Sequence, residues 1–418
     1  MTITQSDRQI IRDLAKRVAD IAAQPEQHEK ARLWRVCNDL APERPMVFAN
    51  PQNGWPELYE AWMVRECEGG LARSFEWPLR LAILRHEHIP DDFPTLATFE
   101  VPIPAHHAGY EDYGLRMDVT RTGDEGGAYH IVPDIQSEAD LDRLHFRPIE
   151  IDTESADARV AQAEELLGDI LEVRRLGKMN WRYGLSRVLI HMRGLEQMML
   201  DMFDNPAILH RLMSFLRDDF MREIDLFESA GAVSLNSVPT HVLGAGGLGP
   251  TDDLPADDFA GTPRAIDSHC WAESQETVGV GPTQFDEFVL QYQLPLMARF
   301  GMVNYGCCEP LDNKVDLVLE QVPNLRWVAG VPWGNPEGVA EKIGPRYVYV
   351  FKPNPSLICS REPAWGAAEK EVRDVIALAK RHGCPLHIVM KDTSTFCDEP
   401  ERITCWATMA TDVAREMN

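Results

Sequence analysis

Short apolar runs bounded by Gly, Pro or Asp recur along the chain, at residues 45–50, 97–104, 170–176, 232–238, 264–269, 301–306, 325–331, 346–352 and 386–391. Runs of this length, rich in Val, Tyr and Phe and lacking helical periodicity, predict buried strands. Between them, apolar residues return every three to four positions. In residues 5–24, Ile10, Ile11, Leu14, Val18 and Ile21 share one face of a helix. The same period predicts helices over 156–167, 186–203, 207–227, 283–299, 314–321, 336–343 and 366–382. The turn Asp204-Asn205-Pro206 opens the helix that starts at Ala207, with proline near its first turn. Gly301, Gly344 and Gly383 stand where helices would be capped.

Strand and helix alternation implies a parallel sheet with right-handed crossovers. The expected fold is α/β, a (β/α)8 TIM barrel with N-terminal helical elaboration. Nine candidate strands compete for eight places, and 97–104 fits the pattern least. Residues 105–135, rich in His, Gly, Asp and Tyr, read as a long loop. No linker splits the chain, so one domain over 1–418 is expected, with 1–44 as a helical extension.

Several strands finish in chemically capable residues. GMVNYGCCEPL (301–311) ends in Cys307, Cys308 and Glu309; RYVYVFKPNPS reaches Lys352 and Asn354; LHIVMKDTSTF reaches Lys391 and Asp392. A barrel enzyme collects the C-terminal ends of its strands into one site. Apolar residues make up 44% of the chain, enough for a large core, and the net charge of −25 excludes a nucleic-acid or anionic-membrane partner. No run reaches the ~20 apolar residues of a membrane span, and the N-terminus has no signal-peptide core, so a cytoplasmic location is expected. Nine cysteines without a compact framework predict free thiols or metal ligands rather than disulfides.

The stretch MRGLEQMMLDMFDNPAILHRLMSF (192–215) is similar to a segment of the uroporphyrinogen decarboxylase superfamily, where a Gly-containing helix meets an Asn-Pro turn and a His-x-Leu-Met helix. The strand ending in YGCCEPL stands where corrinoid-linked members carry His-x-Cys-Gly. The resemblance extends loosely over residues 160–400. It implies one of two chemistries: cofactor-free decarboxylation of a porphyrinogen, or zinc-dependent methyl transfer involving a corrinoid protein or coenzyme M. The decarboxylases' Met-Arg-Gln-Ala-Gly-Arg-Tyr segment is missing; PQNGWPELYEAW follows PMVFAN instead. Arg182 and Arg193 are the plausible arginines for a carboxylated substrate. The resemblance therefore favours methyl transfer.

In that branch zinc takes thiolate and imidazole ligands and keeps one position open. His241, Cys270 and Cys307 or Cys308 are the expected set, resembling the widely spaced ligands of methyl-ether demethylating enzymes. Tyr305 stands where other relatives have His, and Glu309 or Glu273 is an alternative oxygen ligand. A free cysteine is also commonly just a small buried hydrophobe, the reading given to Cys37, Cys67, Cys359, Cys384 and Cys405. His269 is expected in a supporting role, and Cys397 near the last loop.

Lys352 and Lys391 either pair with Asp392 or Glu273 or meet substrate. Trp181, Tyr183, Tyr305 and Trp333 are candidate walls for a methoxylated ring. HVLGAGGLGP (241–250) lacks the helix and spacing of a dinucleotide fingerprint; loop 241–262, with Asp252, Asp253, Asp257 and Asp258, reads as a gate over the barrel mouth. The expected function is zinc-dependent methyl transfer from a small methylated donor to cobalamin carried by a corrinoid-binding protein. Glu309, Asp392 and Lys391 are the expected catalytic groups. A decarboxylase of the same fold and a binding protein without chemistry are the alternatives, and a homodimer is left open.

Overall fold

The computed structural model describes residues 3–107, 113–116, 118–121, 123, 129–244 and 246–418. Its strands are β1 (Met46–Ala49), β2 (Thr98–Pro102), β3 (Ala105–His107), β4 (Asp118–Arg121), β5 (Tyr129–Val132), β6 (Ile149–Ile151) and β7 (Glu172–Leu176). They continue as β8 (Arg182–Tyr183), β9 (His269–Ala272), β10 (Met302–Tyr305), β11 (Leu325–Gly330), β12 (Val348–Phe351) and β13 (Leu386–Met390). Seven form one sheet in the order β1, β13, β12, β11, β10, β9, β8. Every pairing in it is parallel. β2 and β7 form a separate parallel pair. Among the described residues, no ladder joins β1 to β8, so the sheet is a mixed α/β assembly without hydrogen-bonded closure.

Alternation along the strands gives the sheet two faces. Val47, Val303, Tyr305, Val328, Tyr349, Ile388 and Cys270 face a helix layer. That layer includes α8 (Pro206–Ser229), α10 (Gln291–Met297), α12 (Pro336–Ile343), α14 (Trp365–His382) and α15 (Glu401–Glu416), with helices numbered in chain order. The opposite face carries Met46, Phe48, Met302, Trp327, Val348, Val350 and Val389. It is covered by α2 (Pro25–Asn38), through Leu33, Trp34 and Cys37, and by Leu243 and Leu248 of the glycine-rich segment. The N-terminal residues are thus part of the core. α1 (Gln5–Ala22) packs with α4 (Gly70–His88) and α5 (Thr153–Leu167) in a second apolar cluster.

The free edge of β1 needs partners for its buried N–H groups. Two carboxylates provide them. Asp92 Oδ2 accepts from Val47 N at 2.8 Å, and Asp91 Oδ2 accepts from Ala49 N at 2.8 Å. Arg44 grips Asp92 with two N–H groups at 2.6 and 2.8 Å, and Arg85 holds Asp91 at 3.0 Å. On the other side, the expected strand 232–238 makes only a single parallel bridge, Lys178 with Val233. The Asn236 amide fills part of the gap: it donates to Met179 O and His269 O and accepts from His269 N.

The glycine-rich segment does not gate a mouth. A Cβ at Gly244, Gly246, Gly247 or Gly249 would lie 2.0–2.5 Å from Trp271, Val389, His387 or His269, side chains of two strands, β9 and β13. The segment therefore packs, together with α2, on the face opposite the helix layer. Asn38 pins it, donating to Leu248 O and Pro250 O while accepting from Trp327 Nε1. Asp252, Asp253 and Asp258 are paired with Arg35, Arg326 and Arg264. Residue 245, inside this loop, lies outside the described residues.

Other departures have local causes. Helix 186–203 is two helices, α6 (Leu185–Arg193) and α7 (Leu195–Asp204), broken where Gly194 takes φ +85°. The 283–299 helix contains a π segment at Asp286–Leu290 and is capped at Ala298. Gly301 is not its cap; a side chain there would meet Ile266 O at 2.4 Å. The 264–269 strand lies later, at His269–Ala272, after a 3-10 turn. Segment 105–135, read as a loop, contains β3, β4 and β5; 108–112, 117, 122 and 124–128 lie outside the described residues. Among the described residues no helix is long and apolar enough to cross a membrane.

Two substitutions test this packing. Gly247→Ala places a methyl on His387 at a residue with φ +82°, and roughly 2–4 kcal/mol should be lost in urea unfolding. Gly261→Ala, equally left-handed but with open space around it, should lose only about 1 kcal/mol. Equal losses would remove the loop from the core. Asp92→Ala leaves Arg44 without its carboxylate and Val47 N–H without an acceptor; about 3–5 kcal/mol should go, and a loss below ~1 kcal/mol would mean that water satisfies the edge.

Candidate functional site

The C-terminal end of β10 builds the centre. Strand alternation would send residue 307 toward the helix layer, but Gly306 takes φ +93° and turns the chain. Cys307 Sγ then lies 3.3 Å from Lys391 Nζ, at the end of β13. Lys352, at the end of β12, donates its Nζ to Cys307 O. The turn is fixed from several sides. Glu309 accepts from Cys307 N through one oxygen and from Ser274 N through the other, both at 2.9 Å. Trp271 Nε1 donates to Gly306 O at 2.8 Å, and Trp333 Nε1 to Cys308 O at 2.9 Å.

The sulfurs of Cys307 and Cys308 are 3.4 Å apart, and Cys308 Sγ donates to Asp392 Oδ2 at 2.8 Å. The hydrogen bond from Cys308, with Lys352 and Lys391 nearby, holds the Cys307 thiol below its ordinary value despite burial. Cys308 is pushed up, chiefly by its neighbour Cys307. Of the two, the buried Cys307 sulfur is the one that gives up its proton more readily. Burial lowers Lys352. Burial alone would lower Lys391 too, but Cys307, Cys308 and Asp392 more than offset it and leave it above the usual lysine range. Burial raises Glu309. Since both its oxygens are engaged by backbone N–H groups, Glu309 holds the turn.

Asp392 is held in the left-handed region, φ +58°, where a non-glycine residue is strained. Gln52, itself at φ +45°, accepts from Asp392 N at 2.6 Å. Beyond it, Glu57 of α3 (Trp55–Trp62) gathers Thr395 Oγ1, Phe396 N and Asp398 N. The loop after β13 is thus clamped by residues that follow β1.

A cavity of about 270 Å³ adjoins this turn through Trp271, lined by Asn180, Trp181, Arg182, His241, His269 and Cys270 among others. The Arg182 guanidinium lies over Trp271, 4.5 Å from its ring centre, and pairs with buried Glu273. His241 and His269 have ring centroids 5.3 Å apart. Burial lowers His241 to about 4, so its imidazole is neutral.

The structure brings together Cys307, Cys308, Glu309, Lys352, Lys391 and Asp392. It does not assemble the expected zinc set. His241 and Cys270 line the cavity, with Cys270 part of the helix-side core. Glu273 is engaged by Arg182 and Gln275. Among the described residues, no three His, Cys, Asp or Glu side chains stand so as to hold a metal ion, so the residues present do not fit the metal that the resemblance implies. The aromatic wall is also divided. Trp181 packs on Phe227 and Phe300, and Tyr305 bonds Gln293 in the helix layer, while Trp333 is 51% exposed. Trp271 takes the wall position instead.

Sequence reasoning missed Trp271, Gln52, Ser274 and Asn304. Asn304, fully buried on β10, has neither amide atom paired. A polar residue inside the apolar run before the cysteine pair was its visible signal.

No protein-family model matches the chain, and no curated protein matches it. Among solved structures, a methyltransferase from Methanosarcina mazei is similar at 10% identity, covering 92% of this chain and 98% of that one, with a TM-score of 0.48.

The charge arrangement has a direct readout. A thiolate reacts and a thiol does not, so alkylation fades as pH falls through the group's folded value. Because that value is depressed, Cys307 should keep reacting with iodoacetamide at lower pH than in the urea-unfolded chain. Lys391→Gln should move the folded profile toward higher pH. Coincident folded and unfolded profiles would contradict the thiolate assignment.

Proposed function

We propose that this chain is a methyltransferase that takes a methyl group from a small methylated donor, a methoxylated aromatic being the donor class that the resemblance implies. The observation that supports it best is the buried Lys391 ammonium set 3.3 Å from the Cys307 sulfur, where parallel strands end. Cleaving a methyl–oxygen bond leaves charge on the oxygen, and a positioned acid that neutralises it lowers the barrier. Lys391 is that acid: its proton passes to the departing oxygen. Cys307 and Asp392 keep it protonated and aimed, and Trp271 walls the adjoining cavity. A reduced corrinoid held by a separate protein supplies the nucleophile for the methyl carbon.

The cationic groups that a polycarboxylate would need give decarboxylation no support. Arg182 is tied to Glu273, and Arg193 to Asp201 and Ile135 O. We also read the seven-stranded sheet as most of a (β/α)8 barrel, completed by the β2–β7 pair and segment 232–238, within one cytoplasmic domain of 1–418.

Transfer from methoxylated benzoates to reduced cobalamin, followed by release of the phenol, is the test. Lys391→Gln should lower kcat by about 10²-fold or more. The loss should shrink for nitro-substituted donors, whose leaving oxygen needs less protonation. An equal loss across all donors would remove the acid role, and turnover of uroporphyrinogen at an ordinary enzymatic rate would overturn the reading.

A further inference from the structure

The cysteine pair does something that methyl transfer does not require. Two adjacent residues have placed their sulfurs 3.4 Å apart, one beside an ammonium and the other beside a carboxylate. Adjacent side chains on a strand point to opposite faces; here the turn at Gly306 brings both sulfurs to one place. Cys307 is buried and Cys308 is partly exposed.

We propose that Cys307 and Cys308 form a hydroperoxide-sensitive dithiol, which closes to a vicinal disulfide and reopens with thiol reductants. The Cys307 sulfur attacks the distal peroxide oxygen. A sulfur–oxygen bond forms and the oxygen–oxygen bond breaks. The departing alkoxide or hydroxide takes a proton from Lys391, which solvent restores. Cys308 then gives its proton to Asp392 and attacks the Cys307 sulfur. The sulfur–sulfur bond forms, the sulfur–oxygen bond breaks, and hydroxide leaves as water with the proton that Asp392 received. Two thiols are oxidised by two electrons, and one hydroperoxide is reduced to an alcohol, or to water from hydrogen peroxide, plus water.

Closure has a structural consequence. It removes the Cys307 sulfur as counter-charge to Lys391 and the Cys308 donor from Asp392, so both charged groups lose a partner in one event. The inference stands apart from the methyltransferase reading, because its test reads sulfur and not turnover.

Full-length protein is reduced, freed of metal with a chelator, and treated with one equivalent of hydrogen peroxide. Remaining thiols are then blocked with iodoacetamide and the tryptic peptide from Phe300 to Lys314 is weighed. That peptide should lose two hydrogens and resist alkylation, and dithiothreitol should reverse both. Exposed Cys405 should remain alkylatable under the same treatment. Cys308→Ser should stop at a sulfenic acid that dimedone traps on Cys307. If Cys307→Ser misfolds, Cys308→Ser still decides the matter. A pair that stays fully alkylatable would overturn the proposal. So would a disulfide to any other cysteine, oxidation of Cys405 before the pair, or the absence of a dimedone adduct in Cys308→Ser.

Discussion

The edge of β1 is the constraint on which the site depends. A buried strand edge cannot leave its N–H groups unpaired, and among the described residues no neighbouring strand pairs them. Asp91 and Asp92 act as that neighbour, and Arg44 and Arg85 make two buried carboxylates tolerable. With β1 fixed against β13, the residues after it are fixed too. Gln52 reaches Asp392, and Glu57 holds the loop that follows. A carboxylate beside a thiol at one end of the sheet is thus placed by carboxylates on its edge.

The second organising fact is the division of the sheet into two faces. The helix-facing side takes Cys270, Tyr305 and Trp181 into an ordinary apolar core. The other side takes Lys352, Lys391 and Asn304, which an apolar core would not accept without partners. Cys307 belongs to the second group only because Gly306 reverses its direction. One left-handed glycine separates a sulfur in an apolar core from a sulfur set beside an ammonium.

This division explains what was legible in the sequence. The apolar runs at 301–306, 325–331, 346–352 and 386–391 are close to the observed strands, because buried parallel strands need little from distant residues to announce themselves. Their ends, at Cys307, Lys352 and Lys391, were legible for the same reason. The strand expected at 232–238 is reduced to a single bridge, since a side-chain amide replaces most of its ladder. The expected ligands are not drawn together among the described residues, because strand-end position does not say which face a side chain takes; Cys270 sits at the second residue of β9 and turns to the helices. The glycine-rich segment was misplaced because its composition suits an exposed loop and a tightly enclosed one equally. Only the side chains of Trp271, His387 and His269 distinguish them.

The enclosed segment also bears on the order in which the chain folds. Asn38 bonds the segment 210 residues away and Trp327 289 residues away, and the last strand supplies His387 and Val389 against its glycines. Contacts of such separation close large loops and are slow to form. Until β13 arrives, the glycines have no wall on that side, and no side chains of their own to hold a shape. The C-terminal strand carries Lys391 and Asp392 as well. The last piece of the interior to be enclosed and the last charged groups to reach the cysteine pair therefore arrive together, so a ribosome-bound chain lacking β13 has neither its interior nor its chemistry.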